Sequence, residues 1–253
     1  MKYFSDGLAE DIIDAHSALG TVLGSREFDW QGAEREFRRA LELSRSSAAV
    51  RCDYAWCYAM YFLLPLGRVE QALTEMRRAL DLDPLDPFYN SLLGYPFHVM
   101  RQFEPAVAQF QHAIDLDPTF IFSYLLFSIA LAAMGRPDEA ITAAQKANEL
   151  SGGNATTLCA LGSAYGRAGR TAEARQLLQD LTARRRLTYV PASAVALIHG
   201  SLGERDESLE WMARAIEERD PIIVTSLKTA PAYDPLRPHP AYRALLRKMN
   251  LEP

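Results

Sequence analysis

A chain of 253 residues can bury a continuous core, either as one elongated domain or as two compact ones. Hydrophobic residues make up 49% and charged residues 23%, which excludes wholesale disorder. The net charge of −5 and the lack of long basic tracts make nucleic acid a poor partner. Because no signal peptide and no apolar run of about 18 residues occurs, we predict a cytoplasmic protein that does not contact a membrane.

The first thirteen residues are predicted to begin the fold as a helix. Ser5 or Asp6 can cap this helix, and Leu8 and Ile12 then lie on its apolar side. The stretch YFSDGLAEDII at 3–13 also resembles the opening of the TolB-like domain of bacterial multidomain regulators. The segment is therefore either a remnant of such a domain or a helical cap whose match arose by chance.

A period of 34 residues runs through the middle of the chain. Small residues recur at this spacing: Ala72, Ala106, Ala140, Ala174 and Ser208. Four positions after them lie mostly bulky residues: Met76, Phe110, Ala144, Leu178 and Met212. Twelve positions before them lie mostly small residues: Met60, Gly94, Ser128, Gly162 and Ala196. The pattern predicts helix hairpins, in which small residues allow two helices to approach and bulky ones contact the next hairpin.

Turn signals lie between the helices of these hairpins, at Gly67, Arg101, Gly135 and Gly169. The units resemble the tetratricopeptide repeat, whose pattern is W-x2-L-G-x2-Y, then A-x3-F, then P. Trp56 occupies the first consensus position of one unit. The central consensus positions are matched by LGYPF at 93–97 and LGSAY at 161–165, and the final proline by Pro84 and Pro118.

The resemblance implies an all-α fold, a right-handed superhelical solenoid of antiparallel helix hairpins with about six repeats and a C-terminal capping helix. A single hairpin leaves an apolar face in water, so such units are stable when they stack. The solenoid is predicted over residues 11–219. The boundaries are a lead-in at 1–10, repeats at approximately 11–46, 53–86, 87–120, 121–154, 155–188 and 189–219, and a C-terminal cap at 220–253.

The period stops after ERDP at 218–221. Pro238 and Pro240 interrupt any helix before them, and Tyr242 and Leu245 begin an apolar stripe on a final helix. We expect this helix to cap the open end of the stack. The segment also resembles the C-terminal repeat segments of bacterial regulators that carry an adenylate-cyclase, protein-kinase or winged-helix DNA-binding domain.

No sequence motif indicates catalysis, a metal or a cofactor. DLDPLDP at 81–87 lacks the glycine of a calcium-binding EF-hand loop, and GRAGRT at 166–171 lacks the lysine of a phosphate-binding loop. The histidines are dispersed, and Cys52, Cys57 and Cys159 are expected to be buried thiols. We therefore predict no catalytic residue, no metal and no cofactor; the alternative is an enzyme whose site is assembled from distant residues.

The first helix of each hairpin lines the concave face of a tetratricopeptide stack, so its inward positions are the predicted ligand contacts. The candidates are Tyr54, Tyr61, Phe88, Tyr95, His98 and Phe122. The Lys, Asn and Arg residues with which chaperone adaptors clamp a carboxylate are missing at the inward positions, which favours an apolar or amphipathic peptide or protein segment. The alternatives are that the aromatic residues pack between repeats, or that a second copy covers them in a homodimer.

The leading prediction is a non-enzymatic scaffold that binds a peptide or protein segment in the concave groove. The alternative, which the two regulator resemblances imply, is a regulatory or sensory segment of a bacterial signalling protein such as a class III adenylate cyclase. Its catalytic domain would then lie outside this chain.

Overall fold

The computed structural model describes residues 2–43 and 54–252, and side chains from residue 11 onward. The regular elements in these ranges are all helical. The helices of the first six hairpins are α1 Lys2–Val22 and α2 Trp30–Leu43, α3 54–63 and α4 Val69–Leu82, α5 Pro87–Val99 and α6 Phe103–Leu116, α7 Ile121–Ala133 and α8 Pro137–Ser151, α9 Ala155–Arg167 and α10 Thr171–Arg184, and α11 Ala192–Ser201 and α12 Arg205–Glu217. The predicted all-α solenoid of helix hairpins is therefore confirmed.

Two helices at the N-terminal end depart from regular α geometry. α1 continues into a π-helical turn at Leu23–Glu27, and α3 ends in a π-helical turn at Ala59–Leu63. A π-helical turn accommodates one extra residue, so it rotates the side chains on either side of it relative to one another. None of the described helices is long and apolar enough to cross a membrane.

The sequence period has a steric cause inside each hairpin. The small residues at the 34-residue spacing are fully buried: Ala72, Ala106, Ala140, Ala174 and Ser208. A Cβ atom on Gly94 would lie 2.4 Å from Cε1 of Phe110, on the partner helix of the same hairpin. Where serine replaces glycine, its hydroxyl bonds across the hairpin, as Ser128 Oγ does by donating to Ala140 O at 2.8 Å.

Substitution of Gly94 by alanine is expected to destabilise the fold by about 1–3 kcal/mol, because the added methyl group displaces the Phe110 ring. Alanine recovers up to about 1 kcal/mol of helix propensity, which leaves a net loss. Urea denaturation measures the difference. Gly200→Ala in α11 is the matched control, because its new Cβ meets Ser208 Oγ at 3.3 Å and no ring. A Gly94→Ala protein as stable as the Gly200→Ala protein would contradict the steric explanation.

The hairpin turns need a left-handed residue, and one of them uses arginine. Glycine takes a positive φ of 74–79° in four of these turns, at Gly67, Gly135, Gly169 and Gly203. Arg101 holds the equivalent position with φ at 61°. Its guanidinium donates to both carboxylate oxygens of Asp234, at 2.5 and 3.2 Å. The strained arginine therefore joins the end of α5 to a segment 133 positions later in the chain.

After α12 the chain forms three short elements, and the first two of them turn back into the concave side of the stack. They are α13 Pro221–Ser226, a 3₁₀ helix at Pro231–Leu236 and α14 Pro240–Lys248. Asp220 fixes where they start, because its buried carboxylate accepts from the backbone N–H groups of Ser193 and Ile222, both at 2.9 Å. This links the beginning of α11 to the beginning of α13.

The end of the chain closes onto the first hairpin. Trp30 Nε1 donates to Met249 O at 2.8 Å, and Asn250 Nδ2 donates to Phe28 O at 3.1 Å. The Arg219 guanidinium lies 4.5 Å from the Phe28 ring centroid. α14 packs against α12, as a capping helix would. The residues directly after α14 also bond to the first hairpin. The C-terminal segment therefore covers the predicted open end and contacts the opposite end of the stack as well. The stack is a closed ring.

Candidate functional site

An apolar cavity of about 380 Å³ lies at the centre of the ring. We call it the chamber. Its wall consists of the first helices of five hairpins, α3, α5, α7, α9 and α11, and is completed by α13 and the 3₁₀ helix. α13 also contacts the π-helical turn of α3, so the C-terminal segment joins the last of these helices to the first.

Five of the six predicted ligand contacts lie together in the chamber wall: Tyr61, Phe88, Tyr95, His98 and Phe122. The sixth, Tyr54, lies elsewhere. It is buried in the core, where its ring centroid is 6.1 Å from that of Phe37 and 5.3 Å from that of Tyr58. Burial raises the pKa of the Tyr54 hydroxyl well above its usual range, so this residue is a packing residue.

The π-helical turn in α3 explains why Tyr54 was misplaced and why Trp56 was missed. The inward positions were assigned with the regular helical period, and the extra residue of the π-helical turn changes which side chains of α3 point inward. Trp56 lines the chamber as a result and stacks on Tyr61 with ring centroids 5.1 Å apart. The tryptophan was identified as a consensus position of the repeat, so no sequence signal marked it as a contact.

Aromatic rings form a continuous strip along three hairpins. The Trp56 and Phe88 centroids lie 5.8 Å apart, as do those of Phe88 and Phe122, and Phe120 lies 6.3 Å from Phe122. Trp56, Phe88 and Phe122 therefore pack between neighbouring repeats and line the chamber at the same time. Because the positions of the rings are fixed by one another, the strip is a preorganised apolar surface.

His98 is a buried polar residue in the chamber wall. It is 2% exposed, and its Nδ1 has no hydrogen-bond partner among the described residues. Burial, to which the charges of Arg167 and Arg101 add and which Asp234 opposes, lowers the pKa of His98 to about 4. Next to this histidine lies a side pocket of about 30 Å³, lined in part by Arg167. A neutral imidazole with a free nitrogen therefore marks the boundary between the chamber and the side pocket.

The cysteine in the chamber wall is not a nucleophile. Cys159 is buried, and its thiol donates to Ala194 O at 3.3 Å. Burial raises the pKa of this thiol to about 12, and Asp220 adds to the effect, so the reactive thiolate is scarce at neutral pH. Cys57 is half-buried, and Cys52 lies outside the described residues. Within the described ranges, no three His, Cys, Asp or Glu side chains are placed to hold a metal ion.

Comparison with known proteins agrees with the repeat architecture. Residues 131–198 match the family model of the tetratricopeptide repeat. The chain has the tetratricopeptide-repeat fold. The helices of the chamber wall are the first helices of the second to the sixth repeat. In this fold, the first helix of each repeat lines the concave side. No curated protein matches the chain.

Solved structures support the same fold over most of the chain. A tetratricopeptide repeat protein from Parabacteroides merdae aligns with a TM-score of 0.63 at 15% identity, and the match covers 94% of this chain and 84% of that one. PilW, a type IV pilus biogenesis factor, gives 0.58 at 18% identity over 80% and 91% of the two chains. PilF of Pseudomonas aeruginosa gives 0.54 at 19% over 91% and 98%. Identities this low show the fold alone.

Proposed function

We propose that the protein is a non-enzymatic interaction scaffold and that a partner protein inserts an apolar side chain into the chamber. The observation that carries this proposal is the aromatic strip on the concave side of a tetratricopeptide-repeat fold, the side that solenoids use as a binding surface. Buried aromatic anchors of this kind supply most of the binding energy at protein interfaces.

The chamber geometry narrows the kind of contact that the sequence predicted. A bound helix needs a channel roughly 10 Å wide along its length, and here α13 and the 3₁₀ helix occupy part of the concave face. The remaining space has the size of a small-molecule site. The proposed contact is therefore one anchor side chain or a short extended segment of the partner, in place of a whole amphipathic helix.

Affinity capture from the source cell with mass spectrometry tests the proposal. The chamber variant is Tyr61→Ala with Phe88→Ala, and the matched control is Leu187→Ala with Tyr189→Ala, two exposed apolar residues outside the chamber. Proteins captured by the wild type and the control, and lost from the chamber variant, would support an anchor in the chamber. The same proteins captured by all three would refute it, provided that circular dichroism shows each variant to be folded.

The larger context of the protein stays a prediction. The comparisons concern the repeats, and they do not bear on an adenylate-cyclase, kinase or winged-helix domain elsewhere in a longer protein. The backbone of the predicted lead-in is helical from Lys2 and continuous with the first hairpin. The cytoplasmic location and the homodimer also remain to be tested, the latter most simply by light scattering.

A further inference from the structure

The side pocket beside the chamber has two groups that an apolar anchor alone would leave unused, His98 Nδ1 and the Arg167 guanidinium. From these groups we infer that the chamber binds a single-chain carboxylic acid, a fatty acid of medium length. Its tail lies along the aromatic strip and its carboxylate at the side pocket of His98 and Arg167. The inference rests on the proposed function in one respect, that the chamber is the binding site, and it makes such an acid a competitor of the partner's anchor.

The size and lining of the chamber suit one alkyl chain. Its lining is almost entirely apolar, and His98 lies in the wall that the chamber shares with the side pocket. Small-molecule sites have this character, an apolar body with a few placed polar groups. At ~30 Å³ for each water-sized group, the 380 Å³ chamber holds a chain of roughly a dozen carbons.

One buried polar atom beside the side pocket, His98 Nδ1, lacks a partner among the described residues. The His98 side chain is 2% exposed, and the residue lines both the chamber and the side pocket. A buried polar atom without a partner costs about 1–3 kcal/mol, so native structures rarely keep one that no ligand or water satisfies. A carboxylate accepts a hydrogen bond from a neutral imidazole N–H.

The charges around the side pocket favour an anion. Arg101 and Arg237 both bond to the single carboxylate of Asp234, the latter at 2.7 Å. Arg167, at the solvent-accessible end of the pocket, makes no ion pair or hydrogen bond to a described residue. Arg101 and Arg237 thus share the carboxylate of Asp234, and Arg167 in the pocket wall has no acidic partner among the described residues. A ligand carboxylate at Arg167 supplies that partner through a charge-assisted hydrogen bond.

Isothermal titration of the full chain with dodecanoate, below its micelle concentration, tests the inference. The comparison ligand is dodecan-1-ol, which has the same tail and no charge. We expect one dodecanoate per chain and weaker binding of the alcohol. Arg167→Gln is expected to weaken dodecanoate roughly tenfold, as loss of a hydrogen bond to a charged group does, and to leave the alcohol unchanged. Arg205→Gln, an exposed arginine on α12, is the matched control and leaves both unchanged.

A second variant blocks the chamber itself. Leu125→Trp places a larger side chain in the wall and is expected to abolish binding of both ligands, while circular dichroism reports whether the variant is folded. No binding of dodecanoate to the wild type, equal affinities for acid and alcohol, more than one acid per chain, or unchanged affinity in Arg167→Gln would each overturn the inference. If dodecanoate does not bind while partner capture still depends on the chamber, the fatty-acid inference is wrong and the proposed scaffold function is retained. If dodecanoate binds while partner capture does not depend on the chamber, the scaffold proposal is wrong and the fatty-acid site is retained.

Discussion

Replacement of Tyr242 by alanine is expected to lower the free energy of unfolding by about 3–5 kcal/mol, the loss typical of a large buried aromatic residue. Tyr242 is 1% exposed on α14, and its hydroxyl donates to the carbonyl of Leu227. The change leaves a cavity between α14 and the segment after α13, and it removes the hydrogen-bond donor of the Leu227 carbonyl. Because α14 leads to Met249, the contact with Trp30 is weakened as well. Urea denaturation measures the loss.

Two further variants separate packing from hydrogen bonding at this site. Tyr242→Phe keeps the ring and removes the hydroxyl, so a smaller loss of about 1–2 kcal/mol is expected. Tyr189→Ala removes a tyrosine that is 65% exposed, and its stability is expected to stay within about 0.5 kcal/mol of the wild type. A loss below 1 kcal/mol for Tyr242→Ala would show that α14 contributes little to the fold.

Stability is expected to fall by about 2 kcal/mol between pH 7 and pH 5 because of His98 alone. Its pKa in the folded protein is lowered to about 4, against an ordinary value of 6.5. Between these values the unfolded chain binds a proton that the folded chain does not. Acidification therefore favours unfolding, and the stability is fully present above the unfolded pKa. Urea denaturation at a series of pH values measures the slope.

The control for this prediction is His98→Gln, which removes the titrating group and keeps a polar side chain of similar length. Other groups titrate equally in both proteins, so the difference between the two slopes isolates His98. Equal slopes would mean that His98 is solvated in the folded protein, and they would contradict the buried, neutral imidazole in the wall between the chamber and the side pocket.

The sequence allowed the hairpins to be predicted because their cause is local and repeated. Gly94 must be small because the ring of Phe110 lies against it, and a small residue returns at most of the equivalent positions 34 residues apart. The inward face of α5 was likewise predictable, since that helix keeps the regular period from Phe88 to His98. Where the period breaks, as in the π-helical turn of α3, the prediction placed Tyr54 in the groove in place of Trp56.

Closure of the ring could not be predicted in the same way. It depends on the small rotation between successive repeats, which adds up over six hairpins before Trp30 meets Met249. No short pattern specifies that sum. Arg101 is a partial exception, because an arginine stands where the other turns have glycine. A strained backbone position indicates a compensating contact. The bond to Asp234 supplies one, although no sequence pattern identifies Asp234 as the partner.

Closure is the central claim, and pulsed electron resonance between two spin labels tests it most directly. The labels are placed at Gln31 and Lys248, both exposed and each next to a residue of the Trp30–Met249 hydrogen bond, in a chain whose three cysteines are replaced. A closed ring predicts one short, narrow distance distribution, which Tyr242→Ala broadens. An open stack of six hairpins, with layers about 10 Å thick, would place the labels roughly 50 Å apart. A single long distance in the wild type would contradict the closed ring.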